Sequence, residues 1–359
     1  MKTPQATLSS EQERILALQP ALLTWYRENA RPLPWRKNIS PYRTWISEIM
    51  LQQTRIQAAI GYFHRFTAEI PDIHTLANIS TERLLKLWEG LGYYNRAKNL
   101  QAAAQILEKH YQGNLPANYE QLKQLPGIGP YTAGAIASIA FGLPTAAVDG
   151  NVLRVVSRLL AKLEDISLAK VKKKMENLLF SVLPANEAGA FNQALMELGE
   201  LYCLPKGKTK CLECPISSFC LAKEQQLVEQ IPFKTAKSER KKEQKTILIF
   251  HHQDTIAIQK REQNGVLKGL YEFPNLPGHL NQNELKAFLQ NQQFNYNNIH
   301  SFSPSKHIFT HIEWHMIAYQ IDMTQKPDTK YIWAKLSELQ DKYPIPTVFK
   351  NFFVSRSVK

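Results

Sequence analysis

The spacing of apolar residues divides the chain in two: apolar positions recur at helical intervals through the first 225 residues, and beyond about residue 245 they alternate in twos. After a leader over 1–10 that reads as disordered, 12–28 sets Ile15, Leu16, Leu22, Leu23 and Trp25 on a helix. Residues 44–54, 58–68, 81–89, 96–110, 152–163 and 188–201 read as further helices, and Leu33-Pro34-Trp35-Arg36 reads as an extended turn. Asn118 can cap a short helix through Leu125, with Gln121 at the capping-box position. Pro126-Gly127-Ile128-Gly129 then breaks the chain and Pro130 starts the next helix. Two readings fit: a helix-hairpin-helix in which Gly127 and Gly129 let backbone N–H groups face one phosphate, or a plain αα-hairpin with a glycine turn. The polar, charged run over 226–244 reads as a linker between domains at 1–225 and 245–359. Past it, 246–251 and 255–259 suggest a hairpin, 315–321 and 331–333 add strands, and 284–292, 335–341 and 347–354 add helices. The fold expected is a mainly α N-terminal region followed by an α+β domain.

Composition narrows the partners. The chain has 359 residues, 44% of them apolar, enough for two cores, and its 44 lysines and arginines against 31 acidic residues leave a net charge of +13. That balance suits a polyanion. It would also suit a membrane surface, but no apolar run is long enough to span a bilayer, and Gly142 and Pro144 interrupt the most apolar stretch, 133–148. The first residues lack the apolar core of a signal peptide, so a soluble, cytoplasmic protein without a membrane partner is expected. All four cysteines, Cys203, Cys211, Cys214 and Cys220, fall in one short span. They point to a shared metal centre, either zinc or a 4Fe-4S cluster, and not to scattered disulfides. Lys206, Lys208 and Lys210 in the first interval are phosphate contacts or ordinary solvated lysines.

Candidate chemistry begins with Glu48, which shares a narrow polar face with Gln52 among Trp45, Ile46, Ile49, Met50 and Leu51. A carboxylate so flanked should have a raised pKa and carry a proton at neutral pH; the alternative is a surface glutamate. Gln52 and Gln53 could read base edges or be ordinary polar residues, and Arg36 could hold a phosphate or cap a surface. Between Gly90 and Arg96, Tyr93 and Tyr94 could offer a ring for stacking, or simply pack at a helix junction. Asp149 could be a helix N-cap. Paired with Glu48, it could instead stabilise positive charge in an oxocarbenium-like state, by analogy with sugar hydrolysis. In the helix that follows, Arg154 and Arg158 are expected to face outward.

From Leu33 onward these motifs resemble the MutY adenine DNA glycosylases: LPWR at 33–36, SEIMLQQT at 47–54, GLGYYNRAKNL at 90–100, LPGIGPYTAGAI at 125–136, VDGNV at 148–152, FNQALMELG at 191–199 and the cysteine cluster. The resemblance implies a helix-hairpin-helix glycosylase with an iron-sulfur cluster loop and a Nudix-like second domain that recognises 8-oxoguanine. It also implies a reaction, removal of adenine mispaired with 8-oxoguanine or guanine in double-stranded DNA, leaving an abasic site. By the same resemblance Glu48 protonates adenine N7, Asp149 stabilises the sugar cation, and Arg36 and Asn151 belong to the adenine pocket. Tyr131 stands where the related endonuclease III enzymes carry a Schiff-base lysine, which implies a monofunctional glycosylase. Gln53 and Tyr93 match residues that probe and wedge beside the damaged guanine. Phe309, Thr310 and His311 match a Phe-Ser-His loop that contacts 8-oxoguanine, with threonine replacing serine. The cysteines favour a 4Fe-4S cluster, although seven residues separate Cys203 from Cys211 where the family usually has six. Gly269-Leu270-Tyr271-Glu272-Phe273-Pro274 suits an early Nudix region, but no magnesium-binding Nudix box follows, so this domain should bind and not hydrolyse. The expected protein is a monomer, at the nucleoid in a bacterium. The alternatives are an endonuclease III-like pyrimidine glycosylase, a non-catalytic lesion-binding protein and, more remotely, a Nudix hydrolase.

Overall fold

The structure is a computed structural model and describes residues 8–235, 239–261, 265–327, 331–350 and 352. Most of the expected leader and the end of the expected 347–354 helix lie outside these residues. The first helices are α1 (Ser10–Asn29), α2 (Pro34–Lys37), α3 (Pro41–Leu51), α4 (Ile56–Glu69), α5 (Ile73–Asn78), α6 (Thr81–Leu87) and α7 (Asn95–Tyr111). After them come α8 (Tyr119–Leu122), α9 (Pro130–Phe141), α10 (Gly150–Leu159), α11 (Ala169–Ser181), α12 (Ala188–Leu201) and α13 (Leu221–Glu224). Ser9 starts α1 through a capping box with Gln12. LPWR is not extended: Pro34 takes the first position of a single helical turn, where its missing N–H costs nothing. At the hairpin Asn118 accepts from the Gln121 N–H to start α8, and Gly129 caps α9 with Pro130 at the first turn.

Two compact units result. One comprises Met1–Asn78 and Asn99–Ala236, the other Ile79–Lys98 and Lys237–Lys359. The second unit therefore reclaims a segment from the middle of the helical half, which periodicity alone does not predict. In the first unit, α1, α10, α11 and α12 pool Leu18, Leu22, Val152, Val156, Leu179, Phe191 and Leu195 in one core.

The second unit is built on β1 (Lys241–His252), β2 (Thr255–Lys260), β3 (Tyr271–Glu272) and β4 (Asn275–Pro277), then α14 (Gln282–Asn291), β5 (Tyr296–Ser301), β6 (Ser305–Ile308), β7 (Ile312–Met323), β8 (Ile332–Lys335), α15 (Leu336–Asp341) and α16 (Thr347–Lys350). The sheet runs β3-β2-β1-β7-β5, with β1 and β7 parallel and β1 and β2 the expected hairpin. Both faces are covered. Ile247 and Ile249 face Leu339, Val348 and Phe349, while Leu248 and Phe250 face Leu285 and Leu289, the period-two alternation of a strand buried on both sides. Strand β1 begins inside the stretch expected as linker, because the backbone of Lys241–Gln244 pairs with Ile312–His315 whatever their polar side chains prefer.

Candidate active site

Helix α3 follows a Ser40 cap and Pro41, and from Thr44 to Met50 every side chain is buried. Glu48 is only 6% exposed. Helix α9 packs beside it, and Tyr131 in its first turn donates its hydroxyl to Glu48 Oε2 at 2.5 Å. Burial pushes the Glu48 carboxyl up to about 7; the Tyr131 hydrogen bond opposes the rise, the Asp149 charge adds to it and the Arg36 cation opposes it. Burial also holds the Tyr131 phenol well above its ordinary value, with both carboxylates adding to the effect, so it remains a neutral donor.

Asp149 takes the cap position that the sequence offers it. It is the N-cap of α10, Oδ1 accepting from the Val152 N–H at 2.7 Å, and its Oδ2 accepts from Asn151 Nδ2 at 3.0 Å. Burial raises its pKa, and the donors from Val152 and Asn151 work against that rise by favouring the charged form. Asn151 also reaches Glu200 Oε1 at 3.0 Å and accepts from Arg154 Nη2 at 2.8 Å. Helix α12 comes so close here that a Cβ on Gly199 would stand 2.6 Å from the Asn151 Cβ.

These groups line a cleft of about 1020 Å³, together with Arg36, Gln52, Gln53 and Gly129. Gln52 ends α3 and donates to Thr132 Oγ1 at 3.3 Å, and Gln53 is exposed with φ +59°. Arg36 neither caps a surface nor stands free for a phosphate. Its Nη2 pairs with Glu197 at 2.9 Å and its Nε reaches Gln193 at 3.1 Å. Glu197, on α12, is fully buried and also held by Arg31. Burial works to raise its pKa, but the hydrogen bonds and charges of Arg31 and Arg36 outweigh that and leave it lowered. Sequence reasoning missed Glu197, Arg31 and Gln193. The signal was available in FNQALMELG, where Gln193 and Glu197 stand four apart on an apolar helix, as Glu48 and Gln52 do. In the hairpin, Gly127 has φ +79° and a Cβ there would meet the Asn99 Cβ at 2.8 Å, whereas Gly129 is extended and opens on empty space.

Arg158 corrects an expectation. It does not face out but is 2% exposed, because the cysteine segment covers that side of α10. Its guanidinium donates to the carbonyls of Ile231 and Leu204, each at 2.7 Å, and to Cys203 Sγ at 3.4 Å. Arg154 donates to the Cys203 carbonyl at 2.7 Å. Among the described residues no three His, Cys, Asp or Glu side chains stand as a ready metal-holding group, and the four cysteines are free and half-buried. Their chemistry nevertheless fits an iron-sulfur group. Burial pushes Cys214 up to about 12 and Cys220 upward, with the neighbouring thiols adding to each, so four thiolates here require a positive centre to hold them. Lys206, Lys208 and Lys210 are exposed.

In the second unit, Tyr93 is 51% exposed, and its hydroxyl accepts from Thr310 Oγ1 at 3.3 Å. Phe309, Thr310 and His311 form the turn between β6 and β7. Phe309 packs edge-on against Trp314 with centroids 4.8 Å apart, while Thr310 and His311 are exposed.

A model of the HhH-GPD superfamily of base excision DNA repair proteins matches residues 46–180, and one of the NUDIX domain matches 245–354. The adenine DNA glycosylase of Buchnera aphidicola subsp. Acyrthosiphon pisum is 34% identical over 340 residues, covering 92% of this chain and 96% of that protein. The human adenine DNA glycosylase is 32% identical over 349 residues, covering 80% of this chain and 64% of its own. A thermostable thymine-DNA glycosylase structure superposes with a TM-score of 0.54 at 27% identity, covering 60% of this chain and 97% of that one. That fold accounts for the helical part alone, whereas likeness to the adenine enzymes runs through both matched domains, so the chain belongs to the adenine DNA glycosylase (MutY) family of base excision repair.

Proposed function

We propose that this enzyme hydrolyses the glycosidic bond of adenine paired with 8-oxoguanine or guanine, acting as a monomer and without cutting the strand. Adenine turned out of the duplex enters the cleft. Glu48, protonated near neutral pH, donates to adenine N7, the C1′–N9 bond breaks with its electron pair leaving on the base, and the Asp149 carboxylate stabilises the sugar cation. Water then adds to C1′ and loses a proton. Arg36 and Asn151 bound the adenine pocket. The observation that carries this reading is the buried Glu48 facing one cleft with Asp149, bonded to a phenol that forms no Schiff base. No lysine is among the described residues lining that cleft.

The hairpin at Gly127 and Gly129 holds the strand through its phosphate, with Gln52 and Gln53 at the base edges. Tyr93 and the Phe309-Thr310-His311 turn read the base opposite adenine. Cys203, Cys211, Cys214 and Cys220 would hold one 4Fe-4S cluster, which when bound supplies Fe–S bonds that fix their loop. Incubation with A:8-oxoguanine and A:guanine duplexes tests the reaction: adenine is released, and strand breaks appear only after alkali. Glu48→Gln abolishes release while duplex binding remains. Breaks without alkali, or unchanged release by the variant, would overturn the assignment.

A further inference from the structure

Within the second unit, the segment that carries Tyr93 is anchored by a saturated ion pair. Lys86 and Glu89 side chains are 10% and 11% exposed and meet at 2.7 Å. The remaining two protons of the Lys86 ammonium go to the carbonyls of Leu339 at 3.0 Å and Tyr343 at 3.2 Å. Glu89 accepts in addition from the Ile345 N–H at 3.3 Å and pairs with Lys350 at 2.9 Å. These four partners lie in α15, in α16 or in the loop that joins them, so one pair stitches α6 to the end of the sheet unit.

Between that stitch and Tyr93 the loop is stiff. Trp88 and Arg96 both donate to the Gly92 carbonyl, and Arg96 also donates to that of Leu91. The Arg96 guanidinium lies 5.7 Å from the centre of the Tyr93 ring. Tyr93 itself is held at φ +49°, a conformation a tyrosine keeps only when its surroundings impose it. Its hydroxyl then meets Thr310 from the β6–β7 turn.

We propose that the Lys86–Glu89 pair is a positioning device for opposite-base recognition, locking the Tyr93 loop to the 339–350 segment so that Tyr93 and Thr310 are presented as one surface. This rests on the reading that Tyr93 and Thr310 recognise the opposite base. The stitch touches no reacting atom. Its loss loosens discrimination without altering proton transfer at the adenine.

The test uses the full-length protein, with single-turnover adenine release and equilibrium binding on A:8-oxoguanine and A:guanine duplexes. Glu89→Gln should lower the preference for 8-oxoguanine over guanine by about tenfold, the loss of one charge-assisted hydrogen-bond set. Lys350→Met should lower it by about threefold. In both, the A:guanine rate and its pH profile stay as in the parent. If Tyr93→Leu and Thr310→Val leave the preference intact, the underlying reading fails and the proposal with it. If those two abolish the preference while Glu89→Gln keeps it, the proposal alone is overturned. Should Glu89→Gln melt below the assay temperature, the more exposed Lys350→Met decides, and an unchanged preference there refutes the positioning role.

Discussion

Glu48 is kept in an environment that its own charge opposes. With a folded pKa near 7 against an ordinary 4.5, the folded state binds its proton more tightly than the unfolded chain does. The associated stability is fully present below pH 4.5 and is lost as pH rises through about 7, a penalty of about 3 kcal/mol at alkaline pH. Glu48→Gln should therefore unfold at higher urea than the parent at pH 8, with the advantage shrinking toward pH 5; an equal gain at both pH values would contradict the burial argument. Catalysis carries the same sign, and adenine release should fall as pH rises through about 7. Removing the Tyr131 hydroxyl takes away an influence that lowers the Glu48 pKa, so Tyr131→Phe should move that alkaline limb upward, as rate against pH would show. At this scale the two carboxylates were readable because each interrupts an apolar or turn motif. Glu197 offers the same spacing with Gln193, but its pairing with Arg31 and Arg36, far away in the sequence, leaves no local pattern. The burial of Arg158 was equally invisible, since the segment covering it lies some fifty residues downstream.

Among the elements, α10 and α12 meet where only a glycine permits. A Cβ at Gly199 would press on the Asn151 Cβ, and Asn151 holds Asp149 Oδ2. Gly199→Ala should displace this asparagine and cost on the order of 1–3 kcal/mol of stability. Adenine release should fall tenfold or more while duplex binding changes little; an alanine variant with parental single-turnover rates would show that Asn151 has room to move. Capping residues mark the starts of α1, α8 and α10, where Ser9, Asn118 and Asp149 accept from the first turn. Helices α5 and α11 went unrecognised, and β5, with the sequence YNNIHS, carries no alternation to find because most of it is exposed.

At the level of the whole molecule, the net charge of +13 should make DNA binding strongly salt-dependent. For several phosphates neutralised, with a slope of about −0.9 per contact, log K against log salt should fall with a slope of about −4 or steeper, measurable by fluorescence anisotropy. A flat plot would remove the phosphate-holding role given to the hairpin. Two domains in order were legible from the change of periodicity, and the family models match on either side of it. The membership of 79–98 in the second unit was not, since contacts between residues so far apart in sequence leave no local pattern.

That discontinuity sets a schedule for the growing chain. The segment ending at Lys98 leaves the ribosome about 140 residues before the first residue of the rest of its unit. At 5–20 residues per second the wait is roughly 7 to 30 seconds. Throughout it Lys86, Glu89 and the Tyr93 loop have no sheet to close on. All residues of the first unit are thus made before the second unit can close, which waits for the residues from Lys237 onward.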